Sequence, residues 1–171
     1  NVKVTITDYD SNDTALAKVR AGGHGFDMVV PSANFMPIWI NEGLLLETRP
    51  DQMENFKNVD PRWVDAPYDP GRRYSVPWQW GTTGIAYRSD KVSPPPDSWG
   101  VFLDSKYKGK MTQMDDVRDA IGAWLRFRGK SLNSVDPADL EQVKKDAIAA
   151  KANLKAYMSA PVKGQLIAGD V

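Results

Sequence analysis

Apolar and polar residues alternate from Val2 to Thr7, with Val2, Val4 and Ile6 on one side. This two-residue period predicts a half-buried strand. In the next stretch, DYDSNDTALAKVRAGGHG, the period becomes helical. Ala15, Leu16 and Val19 form one stripe, Ser11, Asn12 and Asp13 are candidate caps, and Gly22-Gly23 stops the turn. FDMVVP is an unbroken apolar run closed by Pro31, the pattern of a buried parallel strand. SANFMPIWINEG predicts a helix capped by Ser32 or Asn34, with Pro37 in its first turn and Gly43 at its end. Alternating strand and helix in this way predicts an α/β layer around a parallel sheet.

Residues 47–74 show little period and are rich in Pro, Asp, Asn and Arg, so short helical turns and loops are expected there. Tyr74–Asp90, YSVPWQWGTTGIAYRSD, then places Val76, Trp78 and Trp80 on one face of a strand. Gly81-Thr82-Thr83-Gly84 relaxes the chain before a second strand, IAYR. A proline-rich connector leads to a helix near Ser98–Leu103. KGKMTQM predicts a strand, and DDVRDAIGAWLRFRG a helix with Ile121, Trp124 and Leu125 inward and Gly129 at its end. DPADLEQVKKDAIAAKANL predicts another helix, started by Asp136-Pro137, with Leu140, Val143, Ala147 and Ile148 inward. KAYM is a short strand, and KGQLIAGDV is helical up to Gly169. The composition shifts near residue 90. Residues 1–83 are expected to form part of an N-terminal lobe, 84–90 the crossover between lobes, and 91–171 part of a C-terminal lobe. Glycines in such a crossover permit large backbone changes.

The 171 residues suffice for one ordinary domain with its own core. Net charge is zero, 22 basic against 22 acidic residues, which gives no electrostatic argument for a nucleic acid partner. No apolar run approaches the ~20 residues of a membrane span. There is no cysteine, which excludes disulfides, thiolate catalysis and Cys-ligated zinc. His24, the only histidine, lies in a glycine loop and reads as a solvent-exposed loop residue. No cofactor or metal is expected, and the phosphate-binding glycine patterns are absent.

Candidate chemistry concentrates in MDDVRDAIG. Asp116 can cap the helix while Asp119 reaches back to its amide, a capping box. Capping is the favoured reading; the alternative is that carboxylates among Asp115, Asp116 and Asp119 face a crevice at the C-terminal edge of a parallel sheet, where ligands of open α/β folds bind, and would there want a cation. One carboxylate has lone pairs enough for both tasks. Ser32, at the end of FDMVV, can cap the next helix or contact a ligand. Trp39 and Trp124 fall among apolar neighbours and read as core. Trp78 and Trp80 are either core or a cation-binding aromatic wall, worth ~0.5–2 kcal/mol per contact. Lys144, Lys145 and Lys151 read as a solvated face.

FDMVVPSANF, EGLL, NFKNVDPRW, YDPGRRYSVPWQWGTTGIAY, SW…LDSKYKGKM, MDDVRDAIG and SLNSVDPADL occur in this order and spacing. Together they resemble the periplasmic polyamine-binding proteins of bacterial ABC importers, the spermidine/putrescine receptors. The resemblance covers nearly the whole chain. It implies a two-lobed α/β receptor of type II periplasmic-binding-protein-like fold that closes on its ligand. It also implies periplasmic localisation, a polyamine ligand, and the membrane permease subunits of an importer as partners, with no enzymatic activity. In the family the serine after VP contacts the polyamine, which maps to Ser32. The position two further on is often aromatic; here it is Asn34, with Phe35 next to it. Trp78 and Trp80 would lie near the cleft. The acids that hold the ammonium groups map to Asp116 and Asp119, and Asp119 stands where the family usually has the longer Glu. Family members are nearly twice as long, so both ends of the chain read as cut. A chain cut there can hide its exposed strand edges by pairing with a second copy. A receptor for another amine or a neutral solute, and a hydrolase using Asp115, Asp116 and Asp119 as acid and base, are the alternative readings.

Overall fold

The computed structural model describes residues 2–159 and 161–171. The chain divides into two compact units, one ending at Gly81 and one running from Thr82 to Val171.

In the first unit, α1 spans Asn12–Arg20 and α2 spans Met36–Asn41. Ser11 caps α1, its hydroxyl accepting the Thr14 N–H at 3.2 Å. A 3-10 turn at Ala33–Phe35 leads into α2, and Pro37 sits in the first turn, where its missing N–H costs nothing. The stripe Ala15, Leu16 and Val19 closes on Trp39, which has no exposed surface, and Phe26, Val29, Phe35, Leu44 and Leu45 pack around them. Residues 50–63 form three 3-10 turns, Pro50–Gln52, Glu54–Asn58 and Pro61–Trp63, as their composition suggests.

A buried polar network follows those turns. Asp69-Pro70-Gly71-Arg72 is a turn closed by the Arg72 N–H on the Asp69 carbonyl at 3.0 Å. Gly71 takes φ +70°, which position i+2 of a type II turn demands. The Asp69 carboxylate, 1% exposed, accepts the backbone N–H groups of Arg73, Tyr74 and Ser75 and the Ser75 hydroxyl, at 2.7–3.2 Å. Arg72, also 1% exposed, donates to the carbonyls of Val64 and Trp63, to Tyr68 Oη and to Ser75 Oγ. Ser75 Oγ thus links a buried anion to a buried cation.

In the second unit, a 3-10 turn at Trp99–Leu103, capped by Ser98, stands where a helix is expected. Next come β1 (Met111–Gln113), α3 (Val117–Phe127), α4 (Pro137–Lys151), β2 (Leu154–Tyr157) and α5 (Val162–Ala168). β1 and β2 pair in parallel, Met111 beside Leu154 and Gln113 beside Tyr157, with an irregularity after Met111. The two-helix connection between them is the crossover that parallel strands require. Trp124, fully buried, centres the core with Phe102, Met111, Leu125, Val143 and Ala150. On α4 the buried stripe runs through Val143, Asp146 and Ala150. Ile148 is 62% exposed and Leu140 39%, against expectation. At 100° per residue Ile148 lies ~140° around the helix from Val143, too far to share its face.

Asp146 is buried and takes a two-point bond from Arg128, Nε at 2.7 Å and Nη2 at 2.6 Å. The guanidinium hydrogen bonds hold this carboxyl below the usual carboxylate range, outweighing the opposing effect of burial. A carboxyl more acidic folded than unfolded stabilises the fold above its unfolded pKa of about 3.9, and that contribution is lost as pH falls through the lower folded value. Arg128 is 41% exposed, so solvent screens part of what the pair contributes. Asp146→Asn is expected to lower the urea midpoint at neutral pH and to flatten the acid limb of the stability profile. Parallel acid limbs in the two proteins would refute this assignment.

The strands expected at Val2–Thr7, in FDMVV, through Val76–Trp80 and in IAYR are not formed among the described residues. A strand exists through its hydrogen-bonded neighbour, and among the described residues only MTQ and LKAY find one. Many apolar residues of the unformed strands are correspondingly open: Val2 is 90% exposed and Ile6 81%, while Phe26, Val29 and Ile85 still pack against the cores.

Candidate functional site

In the second unit the acids gather where β1 ends and α3 begins. Asp116 is the N-cap of α3, its Oδ1 accepting the Asp119 N–H at 3.1 Å. The capping half of the expected box is therefore present. Asp119 turns its Oδ2 instead toward Thr83, whose hydroxyl donates to it at 3.3 Å. Both side chains are half-buried, and Asp115 is exposed, its own N–H donated to Ser159 Oγ at 3.2 Å. The neighbouring cavity, about 580 Å³, has Asp119 and Thr83 in its wall beside Trp99, Phe102, Met111 and Leu166. Gln113 also lines it; this side chain is buried, and neither amide atom has a hydrogen-bond partner among the described residues. A carboxylate at the edge of an apolar cavity suits a guest with a cationic end and a hydrocarbon body, since a desolvated charge needs an opposite one.

In the first unit Ser32 lies just past the FDMVVP run. It occupies the N-cap position of the 33–35 turn, yet its side chain caps nothing. Asn12 engages it instead. Asn12 Nδ2 donates to Ser32 Oγ at 2.9 Å, and the Ser32 N–H donates to Asn12 Oδ1 at 2.8 Å. Nearby, the Tyr9 hydroxyl donates to the Val30 carbonyl. Asn34 is exposed, and Phe35 is half-buried against the α1 cluster. Trp78 is 79% exposed and Trp80 66%, so the core reading of these two rings is corrected. Trp80 stacks on Trp63 at 6.3 Å between ring centroids, with planes 29° apart. Trp39 and Trp124 are core as expected. His24 is half-buried rather than exposed: it stacks on Phe26, and its Nδ1 accepts the Phe26 N–H at 3.0 Å. No cluster of potential metal ligands occurs among the described residues.

Thus Asp116 meets Asp119, and Ser32 adjoins Asn34 and Phe35. Two partners escaped sequence reasoning. Asn12 read only as a helix cap, and Thr83 only as part of a flexible link. Both act across long sequence gaps that no local spacing marks.

The family model for bacterial extracellular solute-binding proteins matches residues 1–170. The spermidine/putrescine-binding periplasmic protein of Escherichia coli is 32% identical over 172 residues, 99% of this chain and 49% of that protein. The putrescine/cadaverine-binding protein of Pseudomonas aeruginosa is also 32% identical, over 95% of this chain and 48% of its own length. Among solved structures, the spermidine/putrescine ABC transporter substrate-binding protein of Streptococcus pneumoniae superposes with a TM-score of 0.71 at 31% identity, covering 95% of this chain and 50% of that one. The chain spans about half the length of the curated relatives it matches. The α/β periplasmic-binding-protein-like fold expected from the sequence is borne out by these neighbours. The Escherichia coli, Pseudomonas aeruginosa and Streptococcus pneumoniae proteins are named for binding or transport, not for catalysis. The family match runs through both compact units and takes in every candidate residue above; the chain belongs to the bacterial extracellular solute-binding proteins.

Proposed function

We propose that this chain carries part of the binding machinery of a polyamine receptor serving an ABC importer, acting in the periplasm and without enzymatic activity. The observation that carries this reading is the half-buried pair Asp116 and Asp119 at the C-terminal end of β1, with Asp119 in the wall of an apolar cavity. An ammonium group entering there exchanges water for carboxylate oxygens, and the methylenes between ammonium groups lie against apolar walls. Within the first unit, Ser32, Asn34, Phe35 and Trp78 are the residues this reading assigns to guest contact, Trp78 as an exposed ring for a methylene chain or a cation. Residues 1–83 and 91–171 belong to separate lobes, and 84–90 carries the chain between them. The guests for which the relatives are named support putrescine and spermidine here. No helix among the described residues is long and apolar enough to cross a membrane. The membrane permease subunits of the importer are the partners this reading implies.

Calorimetry with putrescine and spermidine, on this chain and on the full-length gene product, tests the reading. Asp116→Asn and Asp119→Asn are each expected to weaken binding by roughly 10- to 100-fold, the range for a hydrogen bond to a charged group. Absence of heat with every polyamine at full length excludes the proposal, as does unchanged affinity in both variants.

A further inference from the structure

One buried side chain ties the start of α1 to the segment that presents Ser32. Asn12, the first residue of α1, is 9% exposed, whereas Ser32 is exposed. The Ser32 backbone N–H can only donate, so it must face Asn12 Oδ1, 2.8 Å away. That choice fixes the other end of the amide, and Nδ2 donates to Ser32 Oγ at 2.9 Å. A hydroxyl has one proton and two lone pairs. Asn12 takes one lone pair, so one lone pair and the O–H proton remain for anything approaching Ser32.

We propose that Asn12 is a positioning residue that sets the hydrogen-bonding polarity of Ser32, so that position 12 helps decide which guests are held. The proposal rests on the reading that Ser32 contacts the guest. With Asn at 12 the hydroxyl can accept from an ammonium group and can also donate to a carbonyl or hydroxyl of a guest. With Asp at 12 the shape is kept and the polarity reverses. One carboxylate oxygen still accepts the Ser32 N–H, and the other accepts the Ser32 O–H. Both lone pairs of Oγ are then left for the guest, and the donor is withdrawn. A guest that only donates gains; a guest that also needs a donor loses. Asp is compatible with the fold here, because an acid in the first turn complements the helix dipole.

The test is calorimetry on the full-length gene product with putrescine, which only donates, and N-acetylputrescine, which carries a carbonyl acceptor. Asn12→Leu, near in shape and without hydrogen bonds, is expected to weaken putrescine roughly tenfold. Asn12→Asp is expected to bind putrescine at least as tightly as the parent and to shift the putrescine to N-acetylputrescine preference toward putrescine by roughly three- to tenfold. Adding Ser32→Ala to Asn12→Leu is expected to cost little more, because the two residues act as one unit. A purely structural role for Asn12 would not move the guest preference, so an unchanged preference in folded Asn12→Asp overturns the proposal even where Asn12→Leu fails to fold. If Ser32→Ala weakens putrescine and folded Asn12→Leu does not, the proposal fails while Ser32 keeps its place in the site. If Ser32→Ala changes nothing, or the parent binds no polyamine, the reading of the site fails and the proposal falls with it.

Discussion

Asp69→Ala is expected to destabilise the protein by about 3–5 kcal/mol, the scale for removing one partner from a buried charged network. Three backbone N–H groups and the Ser75 hydroxyl lose their acceptor at once. Each buried donor left unsatisfied costs about 1–3 kcal/mol, and Arg72 stays buried beside the gap. Asp69→Asn is expected to recover little. Oδ2 takes three of the four bonds and Oδ1 the remaining one, so either orientation of an amide sets its NH2 against a donor. Total stabilities of domains run to about 5–15 kcal/mol, so the loss consumes much of what holds the fold. Urea denaturation followed by far-UV circular dichroism measures it. A loss below about 1 kcal/mol in Asp69→Ala would show that water or rearrangement satisfies these donors.

Trp124→Ala is expected to cost a similar ~3–5 kcal/mol, by leaving a cavity among Phe102, Met111, Leu125, Val143 and Ala150. The ring also meets Phe127 edge-on at 5.7 Å, a contact that alanine removes. Trp124→Phe separates packing from polarity. The indole Nε1 is buried with no hydrogen-bond partner among the described residues, so phenylalanine sheds an uncompensated polar group while keeping most of the ring. Its expected cost is below about 1.5 kcal/mol. Equal losses in the two variants would mean that volume is not what Trp124 supplies.

These expectations also mark how far the sequence could be read. Helices were legible because their signals are local. Ser11 before Ala15-Leu16, Asp116 before Trp124-Leu125 and Asp136-Pro137 before Val143 each join a cap to a 3.6-residue stripe, and α1, α3 and α4 begin where those caps stand. Residues 47–74 read only as short helical turns and loops, and nothing in that stretch disclosed that Asp69 is buried or that Arg72 folds in beside it. Strands fared worse, because alternation in VKVTIT describes a surface awaiting a partner and does not supply one. The site divides in the same way. Asp116 and Asp119 were found through their spacing on one helical turn. Thr83 and Asn12 were missed because each meets its partner across a stretch of chain, 36 and 20 residues long, that no periodicity spans.

The stacking of Trp63 on Trp80 gives the segment before Thr82 an optical signature of its own. Two indoles held this close and nearly parallel couple their electronic transitions. Trp99 and Trp124, in the other unit, have phenylalanine rings as their aromatic neighbours. A paired near-ultraviolet dichroic contribution from this stack would thus follow the ordering of the first unit, and Trp80→Phe would remove it.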